Sequence, residues 1–482
     1  MPAIFDPFAA MAAFADFWRW SARLQQAWLT ASQTPQAIER LQASRLRALV
    51  SGARMRSPYY RERLAGMPED EFRLDRFPVQ DKAGLMARFD DWVTDPALRF
   101  EEIRRFVADP GRVGEPYLGR YAVWTSSGST GTPGIYVQDP DALAVYDALL
   151  SARFPSAAGS PSPFATLAGG GRFAMVAALE GHFAGVVSWE RLRRLHPWMA
   201  AATRSFSVLS PLAELVSDLQ SWQPTVVAAY PTTLLLLAGE RRAGRLALAP
   251  QVLWSGGETL SDGERAEIAD AFGCPVIDGY GSSECMQIAH DCGHGFLHLN
   301  SDWVVLEPVD EHGQAVPPGT ASQTVLLTNL ANHVQPLIRY DLGDSVTMLG
   351  HACACGSPFP ALRVSGRRDD ILALEAEDGR LVRLAPLAVA TVIEEGGGVR
   401  RFQLIQTGPA ALAVRFETPQ GDARQDALGC ILTALRAYFA HQGLHRIDIV
   451  EDPEPPRADP VSGKLREVLG MQPQGRQDRT GT

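Results

Sequence analysis

The sequence predicts an α/β protein with two domains: a large N-terminal domain that combines parallel sheets with a β-rich subdomain, and a small α+β C-terminal domain. The chain has 482 residues, which is too long for one typical hydrophobic core. From about residue 115 onward, short β-prone runs alternate with helical patterns. That alternation is typical of parallel strands connected by helices.

Composition is that of an ordinary globular protein, with 46% hydrophobic and 21% charged residues. The formal net charge of -10 makes the chain a poor nucleic-acid binder by bulk electrostatics, so we expect no nucleic-acid partner. No stretch is long and apolar enough to span a bilayer, so we expect no membrane span. Six cysteines in so long a chain do not make a disulfide scaffold, and their clustering indicates a reduced, cytoplasmic location.

The N-terminal forty residues form an extension that we expect to be helical. The stretch MPAIFDPFAAMAAFADFWRW lacks a basic start and carries acidic residues, so it does not resemble a secretory signal. Its aromatic residues Phe8, Phe14, Phe17 and Trp18 fit the buried face of a helix docked on the body of the protein. An interfacial membrane helix is the alternative. The sequence leaves open what this extension does and whether the chain forms a homodimer.

Strands and helices alternate through the middle of the chain. The expected elements, in order, are RFAMVAAL, SFSVL, PLAELVSDLQSW, TVVAAY, TTLLLLAGERR, QVLWSGG, SDGERAEIADAF and PVIDGYG. Ser261 is the expected N-cap of the SDGERAEIADAF helix. Two strands continue directly into polar loops, VLWSGGE and VIDGYGSSE. Ligands of parallel α/β sheets bind at the carboxyl ends of strands, so we predict a site at these loops.

Two further segments complete the predicted architecture. Residues 35–65 are expected to be helical, and residues 301–365 are expected to form the β-rich subdomain. A second unit begins near SGRRDDIL and contains the strands FQLIQTG and LAVRFET, the helix QDALGCILTALRAYFAHQG and the strand HRIDIVED. We therefore expect domains at 1–366 and 367–470, with 471–482 as a disordered tail.

The stretch TSSGSTGTPG at 125–134 lies between the apolar runs YAVW and GIYV, which suggests the tip of a hairpin. Glycine-rich backbone can point several amides at one anion, and the hydroxyl groups add donors. The stretch lacks the Gly-Lys-Ser/Thr ending of the P-loop, and its glycine spacing is not that of a dinucleotide fingerprint. Composition alone leaves a linker and a phosphate loop equally open.

Six segments in order, TSSGSTGTPG, WSGGE, YGSSE, RYDLGD, SGRRDD and PVSGKLREV, resemble the acyl-adenylate-forming (AMP-binding) superfamily. SPYYRERL and GHFAGV point to its phenylacetate–coenzyme A ligase branch. The resemblance covers about residues 40–470. It implies ATP-dependent activation of a carboxylic acid to an acyl-adenylate, release of pyrophosphate, and transfer to a thiol, usually that of coenzyme A. Transfer to a carrier protein, an amine or a hydroxyl is the alternative, and a non-catalytic nucleotide-binding relative is the third reading.

The resemblance also implies roles for individual residues. The residues implied to close over the β- and γ-phosphates of ATP are Thr125, Ser126, Ser127, Gly128, Ser129, Thr130 and Gly131. Those implied to bind the adenosine are Gly256, Gly257, Glu258 and Tyr280 for the adenine, Asp344 for the ribose, and Arg367 for the ribose or a phosphate. Those implied to act at the reacting groups are Ser283 at the α-phosphate, Glu284 on Mg²⁺ and Lys464 between the carboxylate and the α-phosphate.

Asp369 matches the position about which the mobile C-terminal domain of such enzymes turns between the two half-reactions. Simpler readings remain for several of these residues. Glu284 would cap a helix, Asp344 would be a turn residue, and Lys464 would be an ordinary solvated lysine. Arg339 is expected to be structural, paired with a carboxylate.

Cysteine and histidine residues flank the β-rich segment in DCGHGFLH and HACACGSP. Cys292, His298, Cys353 and Cys355 would give a Cys₃His set, which is typical of structural zinc. The resemblance supports this site, because some members of the branch look similar at these places. His290, His294 and His351 compete with His298, and reduced cysteines in turns are the alternative.

An acid-binding pocket is expected beside the α-phosphate, where the family binds its carboxylic acid. The candidate lining residues are His182 and Phe183 of GHFAG, Tyr230 and Pro231 of AAYPTT, and Met286 after Glu284. Such walls suit an aromatic or other apolar acid. The small residues of AAY would equally admit a branched or cyclic acid.

Overall fold

A computed structural model describes residues 7–67, 73–126, 134–153, 166, 169–179, 181–365, 371–399, 401–417, 422–457 and 466–471. Its helices are α1 (Pro7–Ala31), α2 (Pro35–Arg56), α3 (Pro58–Arg63), α4 (Lys82–Ala87), α5 (Phe89–Trp92), α6 (Phe100–Val107), α7 (Pro140–Arg153), α8 (Ala184–Leu195), α9 (Pro197–Ala202), α10 (Leu212–Trp222), α11 (Pro231–Arg242), α12 (Asp262–Phe272), α13 (Pro386–Gly397) and α14 (Asp422–His441).

The strands are likewise numbered in the order of the chain. They are β1 (Ala122–Thr125), β2 (Ile135–Gln138), β3 (Phe173–Ala177), β4 (Thr203–Ser207), β5 (Val226–Ala229), β6 (Val252–Ser255), β7 (Val276–Tyr280), β8 (Ala289–Asp291), β9 (Leu297–Leu299), β10 (Val304–Val309), β11 (Thr324–Asn329), β12 (Leu337–Asp341), β13 (Ser345–Met348), β14 (Ala361–Ser365), β15 (Leu372–Glu375), β16 (Leu381–Leu384), β17 (Phe402–Gly408), β18 (Ala411–Phe416), β19 (Asp448–Glu451) and β20 (Val468–Leu469).

Two compact units share these elements. Among the described residues, the larger unit comprises those up to Ser126, those at 134–207 and those at 216–365. The smaller unit comprises 208–215 and the described residues from 371 onward. The predicted α/β fold class, with a large mixed domain, is confirmed.

The main sheet of the larger unit has nine strands in the order β13-β14-β9-β8-β7-β6-β5-β3-β4. The strands from β4 to β7 run parallel, and those from β7 to β13 are antiparallel. Helices α11 and α12 connect β5 to β6 and β6 to β7. The carboxyl ends of β5, β6 and β7 therefore meet at one edge, where the sequence predicted a site.

Local signals explain why these elements begin and end where they do. The Ser261 side chain accepts from the Glu264 amide, and the Glu264 carboxylate accepts from the Ser261 amide. This capping box satisfies two free amides at the start of α12, so the predicted N-cap is confirmed. The helix ends at Gly273, which takes a left-handed conformation with φ +67°.

The β-rich region at 301–365 is also present. Strands β10, β11 and β12 form a three-stranded antiparallel sheet, and β13 and β14 join the main sheet. Strands β1 and β2 pair as an antiparallel hairpin from Ala122↔Gln138 to Thr125↔Ile135, as the apolar runs predicted. Residues 127–133 between them lie outside the described part of the chain.

The N-terminal helix corrects one prediction. Helix α1 is docked on the body, but Phe14, Phe17 and Trp18 are exposed rather than buried. Its inner face contains Asp16, Ala27 and the other buried residues Leu24 and Thr30. The helix docks through these buried residues rather than through its aromatic rings. One of the contacts is an ion pair between Asp16 and Arg191 of α8 at 3.1 Å. The Phe8 side chain is not described.

In the smaller unit, β17 and β18 form an antiparallel pair that β19 and β20 extend as parallel neighbours. Helices α13 and α14 pack closely, because a Cβ at Gly397 would lie 2.6 Å from Ile431. The predicted strand pair and long helix are present. Among the helices that the structure describes, none combines the length and the apolar character needed to cross a membrane.

Candidate active site

The loops after β5 and β6 meet at the carboxyl edge of the sheet. Gly257 has φ +83°, and a Cβ there would lie 3.0 Å from the Tyr230 ring. A side chain at this position would therefore meet both backbone strain and the ring. The AAYPTT and WSGGE segments are thus brought into contact.

Glu258 reaches back to the start of α11. Its carboxylate accepts from the Thr232 amide at 3.1 Å and from the Thr232 hydroxyl at 2.8 Å. The bond to the amide satisfies one of the free donors in the first turn of this helix, which Pro231 begins. This side chain therefore connects the loop after β6 to α11.

Tyr280 ends β7 and connects two predicted motifs. Its hydroxyl donates to Asp344 Oδ2 at 2.8 Å, although the two residues are 64 positions apart. Burial, followed by the nearby Asp344 charge, raises the pKa of Tyr280 well above its ordinary value. The hydroxyl therefore remains a donor, and it orients the Asp344 carboxylate. Asp344 has a specific long-range partner, which a simple turn residue would lack.

A tight turn after Tyr280 positions Glu284. A Cβ at Gly281 would lie 2.1 Å from the Met286 carbonyl oxygen, so the turn requires glycine. The Ser282 amide donates to the Cys285 carbonyl, and the Ser283 carbonyl accepts from Trp124 Nε1 at 2.7 Å. Residues 281–288 form no helix, so Glu284 is not a helix cap.

Two buried tyrosines hold the Glu284 carboxylate. Tyr136 and Tyr340 donate to its Oε1 at 2.6 and 3.0 Å, and their hydroxyls lie 3.2 Å apart. Burial and the glutamate charge raise the pKa of both tyrosines, so both remain donors. Within the described part of the chain, no residue donates to Oε2. One oxygen is oriented and the other remains available, which is how carboxylates that bind metals are commonly arranged.

A lysine that the sequence did not single out lies at the base of the glycine-rich hairpin. Lys82 begins α4, and its Nζ donates to Ser126 Oγ at 3.4 Å. The same hydroxyl accepts from the Gly134 amide at 3.1 Å, and the Ser126 amide donates to the Gly134 carbonyl. The strand segment just before Lys82 pairs with β12, because Gln80 bridges Tyr340. No sequence motif of the family includes Lys82, so no local signal marks it.

Most of the other predicted phosphate and catalytic residues lie outside the described part of the chain. Those outside the described residues are Ser127, Gly128, Ser129, Thr130, Gly131, Arg367, Asp369 and Lys464. Their roles stay predictions. Thr125 is described: it ends β1, and its amide donates to the His182 carbonyl at 2.8 Å.

The acid-pocket candidates belong to three segments of the larger unit. His182 is buried beside β1, with Nε2 3.0 Å from the Asp109 carbonyl oxygen, and Phe183 precedes α8. The Nδ1 atom of His182 is buried and has no hydrogen-bond partner among the described residues. Pro231 is buried at the start of α11, and Met286 packs against the main core. Arg339 is ion-paired with Glu307 at 3.1 Å, in agreement with a structural role.

The predicted metal ligands converge. The ligand atoms of Cys292, His298, Cys353 and Cys355 all lie within 4.8 Å of one another. The Cys292 and Cys353 sulfurs are 3.9 Å apart, and Cys355 Sγ is 3.2 Å from His298 Nε2. Ligands of tetrahedral zinc at ordinary bond lengths are about 3.3–3.8 Å apart. All six cysteines of the chain are free thiols.

A second contact fixes the histidine. His298 Nδ1 lies 2.7 Å from the Phe359 carbonyl oxygen, so Nδ1 carries the proton and Nε2 faces the sulfurs. A backbone carbonyl on the distal nitrogen is the usual partner of a histidine that binds metal. Of the competing histidines, His290 bonds Asn300 at 2.9 Å and His294 bonds the Cys292 carbonyl. His298 is therefore the histidine of this cluster.

Sequence comparison relates a part of the chain to one curated protein. No protein-family model matches the chain. Protein CapK of Staphylococcus aureus is 29% identical over 135 residues, which are 28% of this chain and 28% of CapK. The chain thus spans about a quarter of the length of that curated relative.

Solved structures match over almost the whole chain. A structure of 2-hydroxyisobutyryl-CoA ligase with 2-HIB-AMP and CoA has a TM-score of 0.55 at 19% identity, and the match covers 91% of each chain. The same ligase in its postadenylation state with 2-HIB-AMP has a TM-score of 0.53 at 19% identity, and this match covers 92% of this chain and 91% of the ligase. The chain therefore has the fold of the acyl-adenylate-forming ligases, as its sequence motifs predict.

Proposed function

We propose that the protein activates a carboxylic acid with ATP, forms an acyl-adenylate with release of pyrophosphate, and transfers the acyl group to the thiol of coenzyme A. The observation that carries this proposal is the Glu284 carboxylate, oriented by Tyr136 and Tyr340 beside the Tyr280–Asp344 pair. These residues come from two predicted motifs, YGSSE and RYDLGD, and from β2. Their convergence supports one nucleotide site.

The chemistry explains why such groups are required. A carboxylate is a poor acyl donor, and its attack on the α-phosphate joins two anions. Catalysis therefore depends on neutralising charge and on in-line positioning. Glu284 would hold Mg²⁺, which would offset the charge of the polyphosphate. Asp344, held by Tyr280, would accept bonds from the ribose hydroxyls.

Cations on both sides of the reacting phosphates would complete the site. Lys82 donates to Ser126, which the motif resemblance assigns to the β- and γ-phosphates, so Lys82 would supply positive charge there. Lys464 would bind the acid carboxylate and the α-phosphate, and rotation about Asp369 would withdraw it before thiol transfer. Arg367 would contact the ribose or a phosphate.

The acid is proposed to be aromatic or otherwise apolar, in a pocket lined by His182, Phe183, Tyr230, Pro231 and Met286. The structurally similar ligase was solved with 2-HIB-AMP, a branched hydroxy acid joined to AMP, so a branched acid is the second candidate. Thermal shift across an acid panel with ATP separates these classes. Stabilisation by short aliphatic or amino acids alone would contradict the apolar pocket.

The Cys₃His cluster is proposed to bind structural zinc. Its atoms fit the ion, because the Cys292–Cys353 and Cys355–His298 separations of 3.9 and 3.2 Å are close to tetrahedral values and His298 presents Nε2. Cys292 and His298 flank the turn between β8 and β9, and Cys353 and Cys355 lie between β13 and β14. Zinc would fasten these antiparallel strands of the main sheet. A cytoplasmic location accords with six free thiols.

The identity of the acyl acceptor is the part of the proposal for which an alternative hypothesis stands. Transfer to an acyl carrier protein, an amine or a hydroxyl would use the same first half-reaction. The test is to supply the purified protein with ATP and its acid in three separate reactions. The acyl acceptor is coenzyme A in the first, a carrier protein in the second and hydroxylamine in the third. We expect the acyl thioester of coenzyme A. Pyrophosphate exchange without that thioester would favour the alternative acceptors.

A further inference from the structure

Helix α1 presents an apolar surface to solvent, which we call the α1 stripe. Its residues are Met11, Phe14, Phe17, Trp18, Trp28 and Leu29, which are 48–69% exposed. At 3.6 residues per turn, all six point within about one third of the helix circumference. Singly exposed apolar residues are common on proteins, but six large ones on one side of a single helix mark an interaction surface.

The stripe is held in place from the opposite face of the helix. Asp16 is ion-paired with Arg191 at 3.1 Å, and Trp20 Nε1 donates to Ser151 Oγ at 3.3 Å. Ala27 is buried on the same inner side. The inner face therefore combines these polar contacts with the buried Leu24 and Ala27, while the six large apolar side chains of the stripe face solvent. The docked helix cannot bury the stripe against its own body without breaking these bonds.

We propose that the α1 stripe is a self-association surface on which two copies of this chain pack their α1 helices against each other. The first reason is area. Each of the four aromatic side chains exposes roughly half of the ~150–250 Å² that such residues bury, and with Met11 and Leu29 the stripe offers roughly 500–700 Å². A stable interface buries about 800 Å² per partner.

The second reason is charge. Interfacial membrane helices have a face rich in lysine and arginine. The exposed side of α1 carries Arg19, which pairs with Asp141 at 3.8 Å, and Arg23 is directed toward the Trp303 ring. The chain as a whole has a net charge of -10, which opposes binding to anionic lipid. A second apolar stripe of identical composition suits this surface better than a bilayer.

The third reason is shape. From Met11 to Leu29 the stripe is about 27 Å long at 1.5 Å per residue. A two-fold axis across a straight helix pairs the stripe with itself, and such self-matching surfaces are the usual basis of dimers. The inference is independent of the proposed ligase activity, because no residue of the stripe takes part in the candidate site.

Sedimentation velocity and light scattering on the full chain test the proposal. We expect a species of twice the 52.3 kDa chain mass at micromolar concentration. Trp18→Glu combined with Trp28→Glu should give a folded monomer, as judged by an unchanged far-ultraviolet circular dichroism spectrum. Trp198→Glu is the matched control, since Trp198 is an equally exposed tryptophan (56%) on α9, and this variant should remain dimeric.

Three results would overturn the proposal. The first is a wild-type monomer. The second is a dimer that survives the double substitution, which would place the interface elsewhere. The third is a monomer that binds phosphatidylcholine and phosphatidylglycerol vesicles and loses that binding on the double substitution, which would assign the stripe to a membrane surface. A milder variant, Trp18→Gln, should weaken dimerisation without adding charge.

Discussion

Replacing Tyr136 by phenylalanine removes one hydroxyl from the centre of the proposed site and little else. Tyr136 is 1% exposed, and its hydroxyl donates to Glu284 Oε1 at 2.6 Å. Tyr340 still donates to the same oxygen at 3.0 Å, so the carboxylate loses half of its support. The substitution leaves the aromatic ring and therefore the packing of β2.

The expected magnitude follows from the type of bond. A hydrogen bond to a charged group contributes about 1.5–3 kcal/mol. At about 1.36 kcal/mol per factor of ten, its loss corresponds to a decrease of about 10- to 150-fold in kcat/KM for ATP. Substitutions behind metal ligands typically cost 10- to 100-fold, which is the same range. We therefore expect Tyr136→Phe to lower the adenylation rate about tenfold or more and to raise the Mg²⁺ concentration needed for half-maximal activity.

The assay is ATP–pyrophosphate exchange with Mg²⁺ as the titrant, together with urea unfolding. Tyr60→Phe is the matched control, because Tyr60 is fully buried and donates to the neutral Pro336 carbonyl at 2.8 Å. The control should lose about 0.5–1.5 kcal/mol of unfolding free energy and keep its Mg²⁺ dependence. A folded Tyr136→Phe protein with unchanged exchange and unchanged Mg²⁺ dependence would refute the assignment of Glu284.

Three other predictions concern separate parts of the molecule. Lys82→Ala should raise KM for ATP about tenfold, the loss expected for a charge-assisted hydrogen bond, and leave AMP affinity unchanged; equal losses for both nucleotides would show that Lys82 does not act on the outer phosphates. Elemental analysis should find about one zinc per chain, with most of it lost in Cys355→Ser and retained in Cys430→Ser; a zinc-free wild-type protein would remove the metal site. Burial raises the pKa of Asp278 from 3.8 to about 7, so the folded protein keeps a proton that the unfolded chain releases. That contribution to stability is complete below pH 3.8 and is lost as the pH rises to about 7. Asp278→Asn should therefore flatten the decline in the free energy of unfolding between these pH values. An unaltered dependence of the free energy of unfolding on pH would contradict this prediction.

The parts of the site that could be predicted from the sequence are those with local signals. Strands that run directly into glycine-rich or acidic loops marked the carboxyl edge of the sheet, and Tyr230, Gly257 and Tyr280 lie there. Cysteine and histidine spacing marked the metal cluster, although it left four histidines open. The structure selects His298 because only strand pairing brings its Nε2 beside Cys355.

The parts that could not be predicted depend on contacts far apart in the chain. Tyr136 lies in an ordinary apolar strand, and its role comes from Glu284, which is 148 positions away. The N-terminal helix was predicted correctly as a docked helix, but its buried face was predicted wrongly, because hydrophobicity alone places aromatic residues inside. Its docking instead depends on Asp16 and Arg191, which are 175 positions apart. A pairing at that distance leaves no trace in helical periodicity.

The most direct test of the account is acid-dependent exchange of labelled pyrophosphate into ATP by the wild-type protein and by Glu284→Gln. The account predicts exchange with at least one carboxylic acid, most strongly with apolar ones, and its loss in Glu284→Gln, because the neutral amide oxygen binds Mg²⁺ much more weakly than a carboxylate does. Absence of exchange across the acid panel, or exchange that persists unchanged in Glu284→Gln, would contradict it.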